Sequence, residues 1–246
     1  MPAPAASSSH STEVALLEGP EPRTGGLKQA ARTVFDMIRG FRALHFVGPC
    51  VTVFGSARFP ETHPFYDLAR QVGMELAKAG FTVMTGGGPG VMEAASRGAK
   101  EAGGPTVGCT IQLPTEEAVS PYLDTSVEFR YFFIRKVMLV KYSFAFVALP
   151  GGFGTLDEIF EAATLIQTGK IKDFPIVLMG SSFWGPMLAF MRDTLVREGT
   201  IDLADLERLI VTDSPAEAAK IIRDTAISRF GVRYADRPKR RRILFE

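Results

Sequence analysis

A run of glycines between an apolar strand and a helix, Pro150-Gly151-Gly152-Phe153-Gly154-Thr155-Leu156-Asp157-Glu158, has the chemistry to receive a phosphate. A helix start presents backbone N–H groups without carbonyl partners, together with the positive end of the helix macrodipole. Glycines remove the side chains that would hold a phosphate away from those amides. The same stretch sets a carboxylate, Glu158, in what reads as the first turn of a helix beginning at Thr155. Thr155 and Glu158 also have the S/T-x-x-E spacing of a capping box, so spacing alone supports both a phosphate cradle and a plain helix start.

Two further glycine turns end apolar strands: Gly55-Ser56 after CVTVF, and Gly86-Gly87-Gly88-Pro89-Gly90 after FTVMT. Several such turns at one sheet edge make a composite pocket. A cation pair, Arg135-Lys136, opens the mostly apolar helix FFIRKVMLVKYS. Neighbouring helical residues point about 100° apart, so at most one of the pair faces any given site. The other reading of the pair is two stems snorkelling at a helix edge.

Familiar alternatives fail on particular residues. In a G-x-G-x-x-G fingerprint starting at Gly86 and Gly88, Val91 takes the third glycine position, and no acidic residue ends the next strand, TVGCTI. Neither glycine turn supplies the Lys-Ser/Thr of a P-loop. Ser56 lacks the G-x-S-x-G elbow of a serine hydrolase. His10, His45 and His63 are not spaced as metal ligands, so no metal is expected.

The elements that must position these residues alternate along the chain. Residues 1–26, rich in Ala, Ser, Pro, Gly and Thr, read as a disordered tail. Apolar positions Ala31, Val34, Phe35, Ile38, Phe41 and Leu44 then recur at helical spacing, which predicts a helix over 27–47. From 48 to 230, continuously apolar strands (CVTVFGS, FTVMT, TVGCTI, FAFVAL, PIVLM, LIVT) are separated by helices. This pattern predicts one domain: a doubly wound, Rossmann-like parallel α/β sheet covered on both faces. Ligands of such sheets bind beyond the carboxyl ends of the strands. Residues 231–246 form a basic tail around Arg237–Arg242, read as a solvated terminus.

Lys and Arg number 28 against 27 Asp and Glu, so no overall field favours nucleic acid or an anionic membrane. Two cysteines, Cys50 and Cys109, sit beside apolar runs and read as reduced, buried residues of a cytoplasmic protein. The first fifteen residues lack the basic start and apolar run of a secretory signal, and no apolar run approaches the roughly 20 residues of a membrane span.

TGGGPGVMEA, FFIRK and PGGFGTLDEIFEAATLIQTGKI together resemble the LONELY GUY type cytokinin riboside 5′-monophosphate phosphoribohydrolases over roughly residues 48 to 215. The hallmark of that family is PGGxGTxxE with an upstream Arg-Lys pair. The resemblance implies hydrolysis of the N-glycosidic bond of an adenine nucleoside 5′-monophosphate, without cofactor, in a homodimer or larger homo-oligomer. It implies Arg135 and Glu158 as the catalytic pair. It places Lys136, Gly152, Phe153, Gly154, Thr155 and Thr164 in the nucleotide site, with Glu116 or Glu117 as a further contributor, and the glycine turns add Gly55, Ser56, Gly87, Gly88, Gly90 and Gly151 to that pocket. Plant-type members read M-H-x-R-K where this chain has Phe132, Phe133 and Ile134 before Arg135, which leaves the preferred base open.

Overall fold

The computed structural model describes residues 12–17, 19, 23–112, 119–172 and 174–230. Seven strands form one parallel sheet: β1 (Cys50–Phe54), β2 (Thr82–Thr85), β3 (Thr106–Ile111), β4 (Thr125–Phe129), β5 (Ser143–Ala148), β6 (Ile176–Met179) and β7 (Leu209–Thr212). Their order across the sheet is β4-β3-β2-β1-β5-β6-β7. The chain runs outward from β1 to one edge, then returns to lay β5 against the other side of β1. The switch point lies between these two strands, so a crevice opens beyond the ends of β1 and β5. The turns at Gly55-Ser56 and Pro150-Gly151 flank it.

β1, β2 and β6 are buried at every position, as a sheet covered on both faces requires. On one face lie α2 (Arg23–Leu44), α5 (Phe132–Tyr142), α6 (Phe153–Gln167) and α7 (Ser181–Phe190), packed through Leu44, Ile134, Met138, Leu139, Ile159 and Trp184. On the other lie α3 (Pro64–Lys78), α4 (Val91–Glu101) and α9 (Pro215–Phe230), where Tyr66, Val72, Leu76, Ala94, Ala95 and Ile222 close a core rich in small residues. α7 continues as a π-helical turn, Met191–Val196, and α8 (Leu203–Glu207) precedes β7. Among the described residues no helix is long and apolar enough to cross a membrane.

Three sequence expectations change. Residues 12–17 form a short helix, α1 (Thr12–Leu17), and α2 begins at Arg23, so part of the stretch read as a disordered tail is helical. Tertiary contacts from Glu13, Asp36 and Phe41 to the β4–α5 region hold these elements where local composition signals none. The helix expected to reach residue 47 ends at Leu44. β4, TSVEF, is an edge strand whose burial alternates, with Glu128 exposed and Val127 and Phe129 buried. A search for continuously apolar strands passes over it. The basic tail, 231–246, lies outside the described residues.

Candidate active site

Backbone hydrogen bonds tie the three glycine turns into one rim. Ser56 donates its N–H to Pro150 O at 3.0 Å, and Val91, first residue of α4, donates to Ser56 O at 3.0 Å. Gly90 has φ +67°, and a methyl on it would stand 2.5 Å from Ser56 O, so only glycine allows this closure. Gly87 donates its N–H to Thr85 Oγ1 and accepts from Ser120 N–H, which fixes the β2 turn. Gly55 and Gly88 lie half-buried in the same rim.

α6 starts at Phe153, with Gly152 as N-cap, and no side chain caps it. Gly152 O accepts from both Thr155 N–H and Leu156 N–H at 3.0 Å. The capping-box reading is therefore wrong: Thr155 is the third residue of the helix and Glu158 the sixth, in its second turn. Among the described residues nothing approaches within 4 Å of the position a methyl on Gly152 or Gly154 would take, whereas one on Gly151 would sit 2.1 Å from the buried Thr155 Oγ1. The helix thus presents an open, uncapped N-terminus toward the crevice, where an anion is favoured. Phe153 stands 92% exposed at its edge.

Glu158 is only 4% exposed, and its Oε2 makes no hydrogen bond among the described residues. Burial pushes its carboxyl up to about 7, against the opposing pull of the Arg135 and Lys136 charges. A carboxyl poised there exchanges protons near neutral pH, as a general acid or base requires. Arg135 Nε is likewise buried, without a partner among the described residues. Its guanidinium lies against Gly86, 3.0 Å from where a methyl on that glycine would stand, and 5.8 Å from the centre of the Phe132 ring. Two buried polar groups therefore retain bonding capacity beside the glycine rim, and such groups are rare away from functional sites.

Arg135 and Lys136 do diverge, as helical geometry requires. Lys136 Nζ lies 2.8 Å from Asp157 Oδ1 and 2.8 Å from Glu161 Oε2, bracketing Glu158 on α6. Burial opposes its charge, but those two carboxylates win and hold its ammonium above the ordinary value. Thr164 is exposed, donates to Phe160 O within α6, and lines a separate groove with Ile176, Met191 and Leu195. The fold does not bring it to the glycine rim. Glu116 and Glu117 lie outside the described residues.

Sequence reading missed a polar annex to the rim. Ala57, Arg58, Glu61, Tyr66, Pro89, Gly90 and Glu93 line a cleft of about 240 Å³, with Tyr66 Oη donating to Glu93 Oε1 at 3.0 Å. Tyr66 and Glu93 sit on different helices, so no local spacing links them.

The family model described as "Possible lysine decarboxylase" matches residues 92–222. The chain is 32% identical over 168 residues to the cytokinin riboside 5′-monophosphate phosphoribohydrolase of Mycobacterium tuberculosis, covering 67% of this chain and 88% of that protein. It is 28% identical over 179 residues to a protein of the same name from Arabidopsis thaliana, covering 72% and 82%. The chain belongs to the LONELY GUY family.

Among solved structures, the molybdenum cofactor carrier protein of Chlamydomonas reinhardtii superposes with a TM-score of 0.55 at 26% identity, over 72% of this chain and 98% of that one. The fold of the LONELY GUY family thus occurs in a protein named as a carrier as well as in proteins named as hydrolases. The word decarboxylase finds no support in Lys136: a Schiff-base lysine needs a lowered pKa, and this one is raised.

Proposed function

We propose that this chain hydrolyses the N-glycosidic bond of an adenine nucleoside 5′-monophosphate, AMP or an N6-modified relative, releasing the free base and ribose 5-phosphate. The observation that carries this reading is Glu158: a buried carboxyl whose Oε2 has no hydrogen-bond partner among the described residues, poised near neutrality one helical turn beyond an uncapped glycine start. The relatives named as phosphoribohydrolases give the reaction class.

In this reading the 5′-phosphate sits on the amides of Gly152–Thr155, and its binding energy holds the ribose over Glu158. Cleavage of the bond from C1′ to the base nitrogen builds positive charge on the sugar, which the Glu158 carboxylate stabilises. The same carboxylate orients the water whose oxygen bonds to C1′ and accepts its proton. The departing base carries away the bond's electron pair and takes up a proton. Arg135, against Gly86, neutralises phosphate or assists base departure.

The working unit is a homodimer in the cytoplasm. Phe133 and Val137 on α5 and Phe160 on α6 are each more than 40% exposed on the two helices that carry Arg135 and Glu158, and a second copy would cover them. Cys50 and Cys109 are buried free thiols, with burial raising both.

A carrier without turnover is the second reading, favoured by the superposition on a cofactor carrier. Incubation with AMP and isopentenyladenosine monophosphate, followed by chromatography of the products, separates the two. Hydrolysis yields equal amounts of base and ribose 5-phosphate. Tight binding with no base released from any nucleotide in a broad panel contradicts it.

A further inference from the structure

α5 cannot start itself. Its N-cap, Tyr131, offers no side-chain bond, and its first turn holds no acidic residue, although this is the helix that aims Arg135. The missing partners arrive from far away in sequence. Glu13 of α1 accepts the Phe132 N–H at 3.0 Å. Asp36 of α2, fully buried, accepts the Arg130 N–H at 3.2 Å and Arg130 NH1 at 3.1 Å. Arg39 lies 3.5 Å from the same carboxylate and donates to Glu128 O on β4. Residues 130 and 132 are thus held on either side of Tyr131, whose carbonyl accepts the Arg135 N–H at 3.3 Å.

The far end of α5 is gripped as well. Tyr142 Oη donates to Phe41 O at 3.2 Å, and Lys141 Nζ lies 5.6 Å from the Phe41 ring centre. A methyl on Gly40 would stand 2.9 Å from Phe129 and 3.0 Å from Met138, so α2 packs directly on the β4–α5 unit. The family model's match begins at residue 92, which leaves α1 and α2 outside it.

We propose that the N-terminal extension is a clamp, acting through Glu13 and Asp36, that positions Arg135 against the glycine rim. Glu13 and Asp36 are positioning residues and touch no substrate. The proposal rests on the reading of Arg135 as a site residue. The Arg135 guanidinium occupies the space a side chain at Gly86 would need, so a shift of about 1 Å in the start of α5 would move it off the glycine rim, and errors of that size cost catalysis heavily.

The test uses full-length protein carrying Glu13→Ala, Glu13→Gln or Asp36→Asn, with amide hydrogen exchange read over residues 132–136 and base release read with AMP. Glu13→Ala is expected to speed exchange there roughly tenfold. It should lower kcat by about fivefold with KM within about twofold, because geometry and not binding is disturbed. Glu13→Gln keeps an oxygen that accepts the Phe132 N–H and should recover most of both. In an Arg135→Ala background, Glu13→Ala should have no further effect on kcat.

Wild-type exchange in Glu13→Ala overturns the clamp, as does faster exchange with unchanged kcat. Equal slowing in the presence and absence of Arg135 overturns the link to Arg135. Should Asp36→Asn fail to fold, the surface residue Glu13 carries the test alone. A wild type that releases no base from AMP contradicts the proposed function instead, and hydrogen exchange then decides the clamp by itself.

Discussion

At the residue scale the proposed reaction turns on Glu158, where burial outweighs two nearby cations. A carboxyl that ionises near 4.5 in the unfolded chain and near 7 in the fold holds a proton that unfolding releases between those values. Stability therefore falls as pH rises from about 4.5 to 7 and stays reduced above, by on the order of 3 kcal/mol for a shift of this size. Glu158→Gln removes the ionisable group. Its melting temperature should exceed that of the wild type at pH 8 and converge with it near pH 4.5, as thermal unfolding across pH would show. Activity should move the other way in the wild type: kcat/KM falls as pH drops below about 7, because the proposed mechanism uses the carboxylate. A flat profile from pH 5 to 8 would remove Glu158 from the chemistry.

At the element scale the start of α6 is an uncapped helix terminus, and its glycines are not equivalent. Gly154→Ala adds a methyl into open space and should leave the unfolding free energy unchanged or raise it slightly, by up to about 1 kcal/mol, while weakening AMP binding at the helix start. Gly151→Val collides with Thr155 and the Ser56 N–H, so calorimetry should show both lower stability and lost binding. These turns and the Arg135-Lys136 pair were legible in the sequence because local residue order alone builds them. The helix register of Glu158 was not, because the S/T-x-x-E pattern imitates a cap whose real N-cap, Gly152, bears no side chain. β4 was hidden by its edge position, which permits polar residues on its exposed side. The annex around Tyr66 and Glu93, and the contacts of Glu13 and Asp36, join residues 27 to 119 positions apart. Only the fold brings them together.

At the scale of the whole molecule, the doubly wound sheet converges three strand ends on one crevice and leaves apolar side chains exposed on the helices beside it. A homodimer covering Phe133, Val137 and Phe160 should sediment at about twice the chain's 26.8 kDa mass, and Val137→Glu should return it to the monomer. A wild type that sediments as a monomer at micromolar concentration would contradict the dimer. In the proposed reaction the glycine start of α6 binds the phosphate while Glu158 carries the chemistry. Glu158→Gln, assayed side by side for AMP binding and base release, tests that division most directly. The predicted result is an AMP dissociation constant within a few-fold of wild type and turnover reduced by at least about a hundredfold. Turnover within a few-fold of wild type would contradict it.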